Sequence, residues 1–201
     1  MRLLDRINQI ARKIPIWLVY LLSLIPVPVI LFMGFTGGLG REPISALEHE
    51  LGKIALQFLI VVLCITPLRQ IVGLNLIRFR RTLGILTFIY VALHLLTWVI
   101  LDVQSVDRVL ADIIKRPYIT IGMSGFVLML PLVATSNNKS VRTLGTVWRK
   151  LHMLTYPVVL LGAIHFIWVN KVLEMEPLVY FAIVLGLLAL RVPKLLKKAI
   201  V

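Results

Sequence analysis

Histidines are the residues of this chain whose type and placement could carry chemistry. Three of the four, His94, His152 and His165, stand in long apolar stretches that contain no Asp or Glu. A polar ring at membrane depth is costly unless it bonds a neighbour or a ligand. Paired imidazoles on neighbouring helices are a common way to hold an iron porphyrin in a helical bundle. Haem ligation is therefore the first candidate role for these histidines.

The depths of two of these rings match. His94 lies 11 residues beyond Leu83 and His165 lies 14 residues beyond Leu151, the first residues of two apolar stretches. At 1.5 Å per residue, these positions are roughly 17 and 21 Å deep in two helices that run in the same direction. The spacing favours His94 and His165 as the two axial ligands of one haem iron. The alternative is that each ring packs in the bundle and bonds a backbone carbonyl or a hydroxyl.

The other two histidines allow several interpretations. His152 lies ~20 Å along the helix from His165, too far to share one porphyrin with it. It could bond a haem propionate or a backbone carbonyl, or ligate an inner haem together with another group. Arg81 stands where a second imidazole would be needed for that inner haem. His49, between two glutamates, is interpreted as a solvated loop residue in preference to a proton carrier.

The composition is that of an integral membrane protein. Of the 201 residues, 59% are hydrophobic and 15% are charged, and the mean hydropathy is +0.95. A soluble domain is roughly 45–50% apolar and about 25% charged. The net charge of +13 does not indicate nucleic-acid binding, because the cations flank apolar stretches. The single cysteine, Cys64, excludes a disulfide framework and a thiolate metal cluster.

The apolar stretches predict an all-α, six-transmembrane-helix bundle that forms a single domain over residues 1–201. Lys53 and Arg191 are expected to reach the interfaces from the two shortest spans. Lys and Arg are concentrated before the first span, after the second and fourth, and after the sixth, which predicts that both termini are cytoplasmic. The predicted spans are Ile14–Met33, Gly52–Leu68, Leu83–Leu101, Tyr118–Thr135, Leu151–Val169 and Pro177–Val192.

Four segments resemble one known family. They are GKIALQFLIVVLCITPLR (52–69), RFRRTLGILTFIYVALHLLTW (78–98), KRPYITIG (115–122) and LGTVWRKLHMLTYPVVLLGAIHFIW (144–168). In this order they are similar to the MsrQ family, formerly called YedZ. Its members are haem-binding membrane subunits of the bacterial periplasmic methionine-sulfoxide reductase system, within the ferric-reductase-like transmembrane group.

The resemblance implies an electron-transfer subunit of an oxidoreductase system in the bacterial inner membrane. Electrons would come from the quinol pool, with FMN as a possible relay, and would pass through b-type haem to a periplasmic molybdopterin-containing partner resembling MsrP. That partner reduces methionine sulfoxide in oxidised proteins. His94 and His165 fall at the family's haem histidines, and His152, which matches a third family histidine, is a candidate cofactor-binding residue. Arg81 replaces the fourth histidine found in the wider group.

Two other classes of function stay open at this level. One is a membrane ferric reductase of the same architecture, which would reduce external ferric chelates. The other is a haem-free transporter or scaffold. Transporters usually carry broken helices or buried carboxylates near the membrane midplane, and the predicted spans contain no Asp or Glu.

Overall fold

The computed structural model describes residues 3–170 and 174–191, and every regular element in those residues is helical. This confirms the all-α prediction. Two π-helical segments, Leu68–Val72 and Thr97–Val103, continue α4 and α5. The α-helices are α1 (Leu3–Lys13), α2 (Ile16–Leu24), α3 (Pro26–Phe35), α4 (Pro43–Pro67), α5 (Arg80–Leu96), α6 (Val106–Lys115), α7 (Pro117–Ala134), α8 (Asn138–Leu144), α9 (Thr146–Leu151), α10 (Thr155–Val169) and α11 (Met175–Ala189).

Five helical stretches of the described chain are long and apolar enough to cross a membrane, as expected of a multi-pass membrane protein. Helix α11, at the place of the sixth predicted span, is apolar but has only 15 residues. The predicted end of that span, Val192, lies outside the described residues. Six spans with both termini cytoplasmic therefore stay a prediction. The five stretches are Ile16–Phe35, Pro43–Val72, Ile77–Val103, Pro117–Ala134 and Thr146–Val169.

The second stretch is longer than the sequence predicted. Helix α4 begins at Pro43. Proline suits the first position of a helix because a backbone N–H would have no acceptor within the helix there and because the φ of proline is already helical. Two helical turns, which include Glu48 and Glu50, thus precede the predicted span. Lys53 consequently lies inside the helix, with its Nζ 3.4 Å from a carboxylate oxygen of Glu50. The helix does not begin at this end of the predicted span, and the expectation that Lys53 reaches the interface stays a prediction.

The chain divides into two compact units, Met1–Lys115 and Arg116–Val201. The prediction of a single domain stays a prediction. In the first unit, helices α3, α4 and α5 share an apolar core. Tyr90 of α5 is fully buried in it, and its hydroxyl donates a hydrogen bond of 2.6 Å to the carbonyl of Ser23 on α2. The buried members of this core are Ile30, Leu47, Leu51, Ala55 and Tyr90.

The amphipathic helix α1 is fastened to the connection between α4 and α5. The Asn8 side chain donates to the carbonyl of Gly73 (3.1 Å) and accepts from the backbone N–H of Asn75 (2.8 Å). Arg78 donates to the carbonyl of Arg12 at the end of the same helix. The chain can turn at Gly73 because its φ of +82° lies in the left-handed region that glycine tolerates. These bonds fix α1 against residues 73–78.

In the second unit, α7 and α11 both pack on α10. Val159 and Ala163 of α10 and Val184 of α11 are fully buried. The ring of Phe166 meets that of Tyr180 edge-on, with centroids 5.6 Å apart. Small and branched side chains let these helices approach closely, which is how apolar helices associate without a hydrophobic driving force in lipid.

Candidate functional site

His94 lies on α5 with its ring against α4. The Nδ1 atom is 2.8 Å from the backbone carbonyl oxygen of Glu48, and because a carbonyl can only accept, Nδ1 donates the hydrogen bond. Gly52 lies one turn further along α4. A Cβ built on Gly52 would stand 3.1 Å from Nδ1 and 3.2 Å from Cε1 of His94. The ring therefore occupies the space that a side chain at position 52 would fill.

His165 repeats this arrangement in the second unit. Its Nδ1 donates a hydrogen bond of 2.7 Å to the carbonyl of Tyr118, at the start of α7. A Cβ on Gly122, again one turn further along, would stand 3.0 Å from both Nδ1 and Cε1. The ring of Tyr118 lies nearby, with its centroid 6.3 Å from that of His165. Each unit thus holds one histidine by a carbonyl and a glycine of a neighbouring helix.

This hydrogen bonding determines which ring nitrogen can bind a metal. With the proton on Nδ1, the lone pair of a neutral imidazole is on Nε2. Metal-ligating histidines typically donate their other N–H to a carbonyl or carboxylate, which fixes the tautomer and raises the basicity of the ligand atom. The donor set at His94 and His165 therefore fits haem iron. Among the described residues, no group of three or more His, Cys, Asp or Glu side chains could hold a metal ion.

The helix that carries His94 changes geometry just beyond it. Thr97 is buried, begins the π-helical segment and donates through its hydroxyl to the carbonyl of Leu93 at 3.0 Å. π-Helical turns inside α-helices are frequent at functional sites. No comparable segment interrupts α10 around His165.

His152 is held differently. It begins a 3₁₀ turn, His152–Leu154, between α9 and α10. Its Nδ1 lies 3.1 Å from the carbonyl of Trp148 on the preceding helix, α9, and the two rings are stacked with centroids 3.9 Å apart. The indole N–H of Trp148 donates to the carbonyl of Thr135 at 2.9 Å. Of the partners considered for His152, the structure supplies a backbone carbonyl.

The interpretation of His49 as a loop residue was wrong. Helix α4 begins six residues earlier, at Pro43, so His49 is helical and half-buried. Gly84 lies on α5, the same helix as His94. A Cβ on Gly84 would meet no atom within 4 Å. Gly52 and Gly122, on the neighbouring helices, were missed. The feature that identifies both residues is a glycine one helical turn after the residue whose carbonyl accepts a hydrogen bond from a half-buried histidine.

Helices of this length and hydropathy define a multi-pass transmembrane helical domain, and the comparisons agree with that class. Residues 51–163 match the family described as "Ferric reductase like transmembrane component". That range covers both His94 and His152 and ends just before His165. No solved structure matches the chain at a significant level.

Curated relatives narrow this class. A protein of Brucella anthropi, named "Protein-methionine-sulfoxide reductase heme-binding subunit MsrQ", is 44% identical over 88% of this chain and 80% of its own length. Proteins of Brucella ovis and Brucella canis with the same name are each 42% identical over 89% of this chain and 82% of their own lengths. The chain belongs to the MsrQ family, and the resemblance found in the sequence is confirmed.

Proposed function

We propose that this protein is a b-type haem electron carrier of the bacterial inner membrane. It passes electrons from the quinol pool to a periplasmic, molybdopterin-containing, MsrP-like methionine-sulfoxide reductase that repairs oxidised proteins. The observation that carries the haem proposal is the matched hydrogen bonding of His94 and His165, each donating from Nδ1 to a backbone carbonyl. The relatives' printed name, heme-binding subunit, supports the same assignment.

His94 and His165 are the proposed axial ligands. When bound, haem b supplies reversible one-electron chemistry at its iron. His94 and His165 would together hold the haem iron and leave it no site for oxygen, which would suit electron transfer. The carbonyls of Glu48 and Tyr118 hold the two rings in the neutral tautomer with Nε2 as the ligand atom. Apolar side chains on the same helices would exclude water from the haem and so tune its reduction potential.

His152 is proposed as a third cofactor-binding residue, near the cytoplasmic side. Its stacked position on Trp148 presents a planar aromatic pair at the junction of α9 and α10. Electrons from the cytoplasmic side would have to cover the ~20 Å between His152 and His165. An FMN or an inner haem beside His152 would divide that distance into shorter electron-transfer steps. The proposal includes six spans and cytoplasmic termini. With that topology electrons would enter beside His152, on the cytoplasmic side, and leave from the haem at His94 and His165 towards the periplasm. FMN rests on the family resemblance alone.

The test begins with the purified protein in detergent. Reduced-minus-oxidised spectra and the haem-to-protein ratio are measured for the wild type, His94→Ala, His165→Ala and the matched control His49→Ala. Each axial-ligand variant should lose most of its haem, while the control keeps the wild-type ratio. Full haem content in His94→Ala or His165→Ala would refute the assignment of that residue.

Electron delivery is tested separately. The dithionite-reduced wild type, freed of reductant, is mixed with an oxidised molybdopterin methionine-sulfoxide reductase and methionine sulfoxide. Reoxidation of the haem that depends on both components supports the proposed partner. Reoxidation no faster than in their absence contradicts it, whatever the haem content.

A membrane ferric reductase is the second candidate, favoured by the description of the matching family. It shares the haem site and differs in the electron acceptor. Rapid reoxidation by ferric chelates, with none by the methionine-sulfoxide reductase, would support this alternative.

A further inference from the structure

Gly52 and Gly122 stand in the same relation to the two histidines, although they lie in different units. In both cases the histidine bonds the carbonyl of the residue four positions before the glycine, Glu48 or Tyr118. In both cases an added Cβ would come within 3.0–3.2 Å of the ring edge that carries Nδ1. Contacts this close are tighter than the ~3.5–4.0 Å at which non-bonded heavy atoms pack best.

The helix geometry explains why glycine is needed four positions after the bonded carbonyl. In an α-helix the carbonyl of residue i points along the axis towards residue i+4, and its first lone pair accepts from that residue's N–H. A Cβ at i+4 is tilted back towards the N-terminus, over residue i. It therefore covers the side of the carbonyl from which a second donor would approach. Glycine at i+4 leaves that side open, and the second lone pair accepts from the histidine.

We propose that Gly52 and Gly122 are positioning residues for the haem. Each lets a ligand histidine lie directly on the neighbouring helix, so that one carbonyl fixes the tautomer and height of the ring. This inference deepens the proposed function and rests on it for the identity of the bound group. It assigns the reduction potential partly to two residues that do not touch the iron.

An alanine at either position must displace the ring by roughly a few tenths of an ångström, the difference between 3.0–3.2 Å and an ordinary contact. The displaced edge carries Nδ1, so the hydrogen bond to the carbonyl lengthens and weakens. A weaker bond from Nδ1–H lowers the basicity of Nε2 and its donation to ferric iron. The midpoint potential should then rise, because the ferric state loses more stabilisation than the ferrous state.

The experiment compares Gly52→Ala and Gly122→Ala with two matched controls. Gly84→Ala lies on α5, where an added Cβ meets nothing within 4 Å, and Gly125→Ala lies on α7, where the Cβ meets Leu161 at an ordinary 3.8 Å. For each purified variant, the haem-to-protein ratio, the midpoint potential and the g-values of the low-spin ferric haem are measured. The two positioning variants should show raised potentials and altered g-values, while both controls match the wild type.

If a positioning variant loses its haem altogether, its midpoint potential cannot be measured. Thermal unfolding in a double-mutant cycle then tests the inference. Alanine at a helical glycine normally stabilises the fold. Gly52→Ala should lower the Tm when His94 is present and leave it unchanged or raise it in a His94→Ala background. The same test pairs Gly122→Ala with His165→Ala. An equal loss of Tm in both backgrounds would overturn the inference, since the clash would not be with the histidine.

The inference also fails if the positioning variants keep both the wild-type potential and the wild-type g-values. That result would leave the proposed function intact, because the wild type would still bind haem through both histidines. A wild-type protein that binds no haem would instead refute the proposed function. The two failures are therefore distinguished by the haem content of the wild type.

Discussion

Replacement of Tyr90 by phenylalanine isolates a single hydrogen bond that ties α5, the helix carrying His94, to α2. Tyr90 is fully buried, its hydroxyl donates to the carbonyl of Ser23 at 2.6 Å, and its ring lies 5.5 Å from that of Phe58. Tyr90→Phe keeps the ring and its packing. It removes one hydrogen bond and leaves the Ser23 carbonyl without its side-chain donor. This lowers the free energy of unfolding by about 1 kcal/mol.

For a chain of this size, that loss lowers the Tm by ~2–4 °C. Thermal unfolding in detergent, followed by circular dichroism, measures it. The haem content should stay at the wild-type value because Tyr90 bonds a backbone carbonyl and is not a proposed ligand. Tyr20→Phe is the control, since within the described residues its hydroxyl makes no hydrogen bond. An unchanged Tm for Tyr90→Phe, or a loss as large in Tyr20→Phe, would refute the assigned role of the buried hydroxyl.

Two further predictions concern contacts outside the core. Asn8→Ala removes both hydrogen bonds that fasten α1 to the connection after α4, so limited trypsin digestion within α1 should be several-fold faster than in the exposed control Gln9→Ala. Equal digestion rates would show that Asn8 does not hold the helix. Trp148→Phe removes the indole donor to the carbonyl of Thr135, and should lower the free energy of unfolding by ~1 kcal/mol. The control Trp17→Phe, at a position 65% exposed, should be close to neutral, and equal losses in the two variants would contradict the role of Trp148.

The membrane-spanning helices could be predicted from the sequence because uncharged runs of sufficient length have few other structures. Their ends could not. Helix α4 starts at Pro43 and includes Glu48 and Lys53, since once a proline has started the first turn, polar residues continue a helix without difficulty. The amphipathic helices α1 and α6 were not predicted either. They lie outside the long apolar stretches, so neither length nor hydropathy marks them.

The histidines could be singled out from the sequence, but the residues that orient them could not. Each ring needs space beside it, and the glycine on the helix of His94 itself, Gly84, does not adjoin the ring. The structure places that space on the helix packed against it, at Gly52 and Gly122. The acceptors are backbone carbonyls, which every residue possesses, so no residue type marks them. Only the pairing of α4 with α5 and of α7 with α10 identifies Glu48 and Tyr118 as the residues that supply them.

The central proposal is that His94 and His165 would be the two ligands of one haem iron. Near-infrared magnetic circular dichroism of the ferric protein tests it most directly, because the charge-transfer band of low-spin haem reports the identity of both axial ligands. The wild type should give the band of a bis-imidazole haem, and that band should be lost in both His94→Ala and His165→Ala. A high-spin ferric haem, a band of another ligand pair, or a bis-imidazole band that survives in either variant would contradict the claim.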